Sequence, residues 1–146
     1  MRIAVGANHS GHLVRAALIE YLGQLGHEVV DVGVADDRPV DYPDIAVKVA
    51  MQVARGEVER GILIGGTGLG MCIAANKVAG VRAVPCHDDM TAEMSRRHND
   101  SNVLCLSAAL VGMHLIYRIV ETWLKTSFEG GRHARRVEKI TALEKG

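Results

Sequence analysis

The sequence predicts an α/β protein of the doubly wound, Rossmann-like class, with a five-stranded parallel sheet in a three-layer α/β/α arrangement. Three observations predict it. Short apolar runs alternate with segments of helical period along the chain, the pattern of parallel strands joined by right-handed crossovers. The 146 residues are 48% hydrophobic but only 3% aromatic, so the core rests on Val, Ile, Leu, Ala and Met, which suits parallel strands covered by helices. Third, Gly61-Ile-Leu-Ile-Gly-Gly-Thr-Gly-Leu-Gly70 reads as a buried strand entering a glycine-rich turn, and Met-Cys-Ile-Ala-Ala-Asn-Lys77 then reads as a helix.

The elements follow in order. Strand one is Arg2 to Ala7, ending in Asn8-His-Ser-Gly11; helix one runs from about His12 to Gly26, with Leu13, Ala17, Leu18 and Tyr21-Leu22 at helical spacing. Strand two is His27 to Val32. A polar loop from Gly33 to Tyr42 holds Asp36, Asp37, Arg38 and Pro39, and Pro43 sits where a first helical turn tolerates it, so helix two runs to about Arg55. Strand three is the Ile62 to Ile64 run, followed by helix three from Leu69 to Lys77. Strand four is Val81 to Pro85, helix four runs from about Asp88 to Arg97, and strand five is Asn102 to Leu106. Helix five, Ala109 to Thr126, leads through Glu129-Gly-Gly-Arg-His-Ala-Arg-Arg136 into a terminal helix ending near Leu143. There is no internal repeat or second domain, so residues 1–146 are expected to form one domain. A flavodoxin-like strand order, 2-1-3-4-5, would place the ends of strands one and three side by side at the topological switch point, where such sheets bind ligands.

Composition narrows the function. The formal charge is zero, which argues against a general nucleic-acid binder or a polybasic membrane module. No apolar run approaches the roughly 20 residues needed to span a bilayer, and the chain enters a strand at once, so a cytoplasmic protein is expected. Cys72, Cys86 and Cys105 are odd in number and lack Cys-x-x-Cys spacing, so they read as free thiols.

The glycine loop offers backbone amides to an anion or an enolate-like oxygen. It lacks the Lys-Ser/Thr of a Walker loop and the two-residue gap of the dinucleotide fingerprint. Imidazole and guanidinium groups fall mainly after strands, in loops that the sheet would gather at one edge: His9, His12, His87, Arg96-Arg-His98 and Arg132-His-Ala-Arg-Arg136. Such a concentration suggests a small anionic ligand. Arg96, Arg97 and Arg135 read equally as solvated helix positions, whereas Arg132 and Arg136, at i and i+4, share one face of a helix start and match one phosphate. His12 and His27 fit surface roles. His98 fits a structural imidazole or an acid/base group equally well. No His-Glu-x-x-His or comparable spacing supports a metal, and none is expected.

Together the segments Gly6-Ala-Asn-His-Ser-Gly11, Asp41-Tyr-Pro-Asp44, Gly66-Thr-Gly-Leu-Gly70 with Ala74-Ala-Asn-Lys77, Gly80-Val-Arg-Ala83, Ser95-Arg-Arg-His-Asn-Asp100, and Glu129-Gly-Gly-Arg-His133 with Arg136-Val-Glu138 resemble the type B ribose-5-phosphate isomerases and the related galactose-6-phosphate isomerases. The resemblance covers nearly the whole chain. It implies interconversion of phosphorylated aldoses and ketoses without cofactor or metal, in homodimers or homotetramers whose active sites lie at the subunit interface, the segment from about 127 to 146 contacting a neighbour. By resemblance His98 opens the sugar ring, helped by His9; Arg132 and Arg136 bind the phosphate, with His9 and His133 as neighbours. Thr67 and the amides of Gly66 to Gly70, including Gly68, serve the cis-enediolate. Asn8 and Asn99 hold sugar oxygens and Tyr42 closes the pocket wall.

The base departs from the pattern. Many relatives carry a Cys directly before the Gly-Thr-Gly, where this chain has Gly65; others place a Glu just after the last loop glycine, where this chain has Met71. Neither can take a proton. Likewise, the usual Asp before the first-loop His is here Asn8, which can hydrogen-bond but adds no charge. Four explanations stand. Cys72 lies one residue past the Glu slot at a helix start that would lower its pKa, although one helical step turns it about 100° away and a core role fits it better. Cys86, His87, Asp88 or Asp89 could present a base after strand four. The substrate could be another sugar phosphate, such as a tetrose, hexose or branched one. Finally, the chain could be a non-catalytic sugar-phosphate-binding homologue or subunit. A flavin- or nucleotide-binding domain of the same topology would instead be purified yellow or nucleotide-loaded.

Overall fold

The computed structural model describes residues 1–33 and 41–145; Asp36, Asp37, Arg38 and Pro39 of the expected polar loop lie outside the described residues. Strands β1 (Arg2–Ala7), β2 (Glu28–Asp31), β3 (Arg60–Gly65), β4 (Ala83–Pro85) and β5 (Val103–Ser107) alternate with helices α1 (His12–Gln24), α2 (Tyr42–Ala54), α3 (Leu69–Ala75), α4 (Asp89–Asn99), α5 (Met113–Lys125) and α6 (Arg132–Ala142). All pairings are parallel, and the sheet is three-layered with α1, α4 and α5 on one face and α2 and α3 on the other.

The alternation of the strands divides the core. Ile3, Val5, Ile62, Ile64, Leu104 and Leu106 point to a cluster with Leu18, Leu22, Ile116, Ile119 and Trp123. Ala4, Leu63, Val103 and Cys105 point oppositely, to a cluster with Ile45, Val49, Met71, Cys72 and Ala75. A period of two along each strand feeds both layers, so near-continuous apolar runs are what these strands need.

The strand order is β2-β1-β3-β5-β4, which corrects the expected 2-1-3-4-5 by exchanging the last two strands. The physical reason lies in the strands themselves. All five residues of β5 are buried, whereas β4 has three residues, grades from buried to exposed, and ends in Pro85. Proline cannot donate to a ladder and belongs at an edge. The exchange leaves the switch point between β1 and β3 untouched: β1 pairs β2 on one side and β3 on the other.

Several boundaries moved for local reasons. Helix α4 runs on to Asn99 and stops where Asp100 adopts a left-handed conformation (φ 48°, ψ 46°), so His98 and Asn99 belong to its last turn and not to a connecting loop. Asp88 stands outside the helix as its N-cap, its carboxylate accepting from Thr91 N at 2.7 Å. Helix α5 begins at Met113 and not at Ala109, because the Ser107 hydroxyl accepts from Leu110 N at 3.0 Å and holds a turn there. Among the described residues no helix is long and apolar enough to cross a membrane.

Candidate active site

Two groups of residues carry chemistry, and they sit at opposite edges of the sheet. The first surrounds the carboxyl ends of β1 and β3. Asn8, Tyr42, Gly65, Gly66, Thr67, Gly68, Gly70 and Met71 line a cleft of about 260 Å³. Asn8 N donates to the Ile64 carbonyl at 3.2 Å, which ties the first loop to the end of β3. The Asn8 side-chain oxygen accepts from Gly11 N at 3.3 Å, leaving its amide nitrogen for the cleft. His9 stands in the same turn, exposed and outside the ring of lining residues.

The loop needs its glycines where the chain approaches other groups. Gly68 is left-handed (φ 80°), and a Cβ there would lie 2.7 Å from the Leu106 carbonyl oxygen. At Gly70 a Cβ would meet the Tyr42 ring at 2.5 Å; the aromatic wall therefore lies directly on the first turn of α3. The Thr67 hydroxyl accepts from Leu69 N at 3.2 Å, so its proton is free to donate, and the unsatisfied amides of a first helical turn point the same way. The floor differs from the rest. A Cβ built on Gly65 would lie 3.2 Å from Met71 Sδ, and Met71 is 2% exposed. Its thioether fills the room beside Gly65, and no lining side chain of the cleft can accept a proton from carbon.

The second group gathers His98, Asn99, Glu129, Arg132, His133 and Arg136. His98 and His133 stack with ring centroids 4.2 Å apart and planes 10° from parallel. Glu129 Oε1 lies 3.5 Å from His133 Nε2, while Glu129 Oε2 accepts from Arg97 Nε at 2.5 Å. Arg132 and Arg136, one turn apart at the start of α6, are exposed as their spacing predicts. Asn99 opens onto a groove of about 600 Å³ that Arg82, Ile140 and Leu143 also line.

His98 therefore does not face the glycine loop of its own chain. Helix α4 leaves the carboxyl edge after β4 and runs back, so its last turn lies at the starts of β4 and β5: Arg96 Nη1 donates to the Ser101 carbonyl, and Asn102 N donates to the Arg82 carbonyl at 3.0 Å. Gly65 pairs with Ser107 at the far end of β5. Four strand steps separate Val103 from Ser107, about 13 Å at ~3.3 Å per residue. This corrects the expectation that the basic groups share one sheet edge; only His9, His12 and His87 follow strands directly.

The three thiols are free and buried, and Cys72 takes the core role that fitted it better than that of a base. Cys72 Sγ donates to the Ala83 carbonyl at 3.4 Å within the α2–α3 core layer, so the helical turn has carried it away from the cleft. Its thiol pKa is lowered by the Cys105 hydrogen bond, against burial; Cys105 is correspondingly held well above the usual thiol range, and neither lines the cleft. Burial pushes Cys86 up to about 11. Of the other groups after β4, Asp88 caps α4 and Asp89 pairs with Arg118 at 3.0 Å, both just past an edge strand that β5 separates from β3.

His98, Glu129 and His133 form the one cluster of metal-ligand type among the described residues. Stacked rings hold their nitrogen lone pairs side by side, not converging, and Arg97, Arg132 and Arg136 surround them, an arrangement suited to an anion. Glu129 has no role in the sequence reading, and Met71 figures there only as the residue in the Glu slot, not as the filler beside Gly65. The i, i+4 spacing of Glu129 and His133 carried a signal as legible as that of Arg132 and Arg136; the filling of the Gly65 slot by Met71 carried none.

A doubly wound sheet with an amide-lined cleft at its switch point, and a histidine–arginine cluster suited to phosphate, defines the class of sugar-phosphate isomerases. The chain belongs to the Ribose/Galactose Isomerase family, which it matches over residues 3–140. It is 48% identical to the ribose-5-phosphate isomerase B of Escherichia coli, over 98% of this chain and 96% of the relative. It is 41% identical to a D-erythrulose-4-phosphate isomerase of Pectobacterium atrosepticum, over 99% and 95%. The solved structure of ribose-5-phosphate isomerase B from Clostridium thermocellum superposes with a TM-score of 0.98 at 50% identity, covering 99% of this chain and 98% of that one.

Proposed function

We propose that two copies of this chain build each active site between them and interconvert ribose 5-phosphate and ribulose 5-phosphate in the cytoplasm. One observation carries this reading: the glycine-loop cleft and the His98–Arg136 cluster stand at opposite edges of one sheet, about 13 Å or more apart by strand length. One copy supplies the cleft and the other the cluster, through the segment from about 127 onward. No cofactor or metal enters the scheme.

Arg132 and Arg136 of one copy take the phosphate as a guanidinium pair. His98 removes the proton of the anomeric hydroxyl and returns one to the ring oxygen, which opens the ring. The open aldose then lies along the partner's loop. Transfer of the C2 proton to an acceptor from outside the cleft lining gives a cis-enediolate whose oxygens accept hydrogen bonds from Thr67 and the loop amides, and return of that proton to C1 gives the ketose. Asn8 and Asn99 hold hydroxyls, and Tyr42 covers the chain.

The second reading, a sugar-phosphate-binding subunit without turnover, is favoured by the floor of the cleft, where Gly65 and Met71 leave no acceptor for the C2 proton. A tetrose 4-phosphate is a further candidate substrate: its terminal hydroxyl is esterified, so it cannot close a furanose and needs no ring opening. Incubation with ribose 5-phosphate and with erythrulose 4-phosphate in deuterated water separates the readings. Isomerisation with deuterium uptake at C1 or C2 is expected. Demonstrated binding with neither product nor exchange would establish the binding subunit instead.

A further inference from the structure

We infer that His133 is a positioning residue for His98, locked in place by the Glu129–Arg97 pair, and not a ligand of the phosphate. The inference rests on the reading of His98 as the ring-opening group. His133 is the second residue of α6, so it points about 100° away from Arg132. Arg132 and Arg136 are exposed, while His133 is 7% exposed and faces α4. There it covers one face of the His98 ring.

Behind it stands a clamp. Glu129 engages Arg97 twice, through its carboxylate on Nε at 2.5 Å and through its own amide on the Arg97 carbonyl at 3.0 Å. Its second oxygen faces His133 Nε2 at 3.5 Å. Arg97 is the residue before His98, so the clamp fixes the backbone that carries His98 and the ring stacked on it. Burial first, and then the neighbouring charge of His98 and Arg132, lowers the His133 pKa, against the opposing effect of Glu129. A neutral His133 lets His98 gain and lose its proton without a charged ring against it, and makes a poor phosphate ligand.

The test compares His133→Ala, His133→Phe and His98→Ala with the full-length wild-type protein in three assays: ribose 5-phosphate turnover, deuterium exchange into C1 of ribulose 5-phosphate, and inhibition by inorganic phosphate. Ribulose 5-phosphate is open-chain, so its exchange bypasses ring opening. His133→Ala is expected to lower kcat for ribose 5-phosphate about tenfold or more, the order that misplacing a catalytic group brings. KM and phosphate inhibition stay within about twofold, the loss is confined to the ring-opening assay, and His133→Phe, which keeps a stacked plane, recovers most of it. A weakened phosphate Ki in His133→Ala would overturn the inference in favour of a phosphate ligand, and unchanged kcat would overturn it outright. If His98→Ala also turns over ribose 5-phosphate normally, the ring-opening reading falls and takes this inference with it. If His98→Ala is impaired while His133→Ala is normal, only the positioning role is lost.

Discussion

Placing a cysteine at Gly65 tests whether Met71 fills the slot where related chains carry a proton acceptor. Gly65 is buried at the end of β3 and is not among the residues of positive φ, so its backbone accepts a side chain. The obstacle is contact. A Cβ there lies 3.2 Å from Met71 Sδ, tighter by a few tenths of an ångström than ordinary packing, and in ordinary contact with Gly68 N at 3.5 Å, and the thiol adds one more heavy atom. Overpacking of this kind costs about 1–3 kcal/mol, and the flexible thioether places Gly65→Cys near 1. Met71→Ala alone empties a fully buried site in the α2–α3 layer and costs about 2–5 kcal/mol. In the double variant the thiol enters the vacated volume and the tight contact disappears. The two changes should therefore couple favourably by about 1–2 kcal/mol. Denaturant melts of the four proteins in the cycle measure that energy, and the double variant should gain deuterium exchange into ribulose 5-phosphate relative to Met71→Ala. Strict additivity, or full stability of Gly65→Cys alone, would refute the idea that Met71 occupies the slot.

Other outcomes follow from the same geometry. Cys72→Ser should leave ribose 5-phosphate turnover within about twofold of wild type, because its sulfur faces β4 and not the cleft; a large loss of kcat with normal folding would restore it as a base. Thr67→Ala should lower isomerisation by about a hundredfold, as loss of one oxyanion donor does, and exchange into ribulose 5-phosphate should fall with it. Stability should climb from acid to neutral pH. The Arg97 hydrogen bond lowers Glu129 below its ordinary 4.5 and burial lowers His133 below 6.5, so in both cases the unfolded chain binds protons more readily. The Glu129 contribution is present above about pH 4.5 and is lost as pH falls through its folded value, and that of His133 begins to fall below about pH 6.5. Thermal melts across this range should show both limbs, and Glu129→Gln should flatten the lower one.

Much of this molecule was legible beforehand because local rules and tertiary packing agree. The five apolar runs became the five strands, and the spacing of Arg132 and Arg136 put both on the exposed face of α6. Strand order was less legible, since periodicity gives the existence of a strand and not its neighbour, yet Pro85 already marked β4 as an edge. The placement of His98 departs from the sequence expectation for a related reason. The run Arg-Arg-His-Asn before Asp100 looks like a loop, and only the left-handed Asp100 shows that α4 continues through it to the opposite sheet edge. The contact between Met71 and the Gly65 slot depends on a side-chain torsion across a loop, which no spacing encodes.

Subunit complementation tests most directly whether two copies share each active site. Thr67→Ala removes a cleft donor and His98→Ala removes the partner's contribution. Each homo-oligomer should be weakly active. Mixed by reversible denaturation, they should form hybrids holding one site with both lesions and one with neither. For random pairing in a dimer, half the pairs are hybrids with one intact site, so activity should recover to about a quarter of wild type. A mixture no more active than the mean of its two components would contradict the account, because it would place Thr67 and His98 in the same site of a single chain.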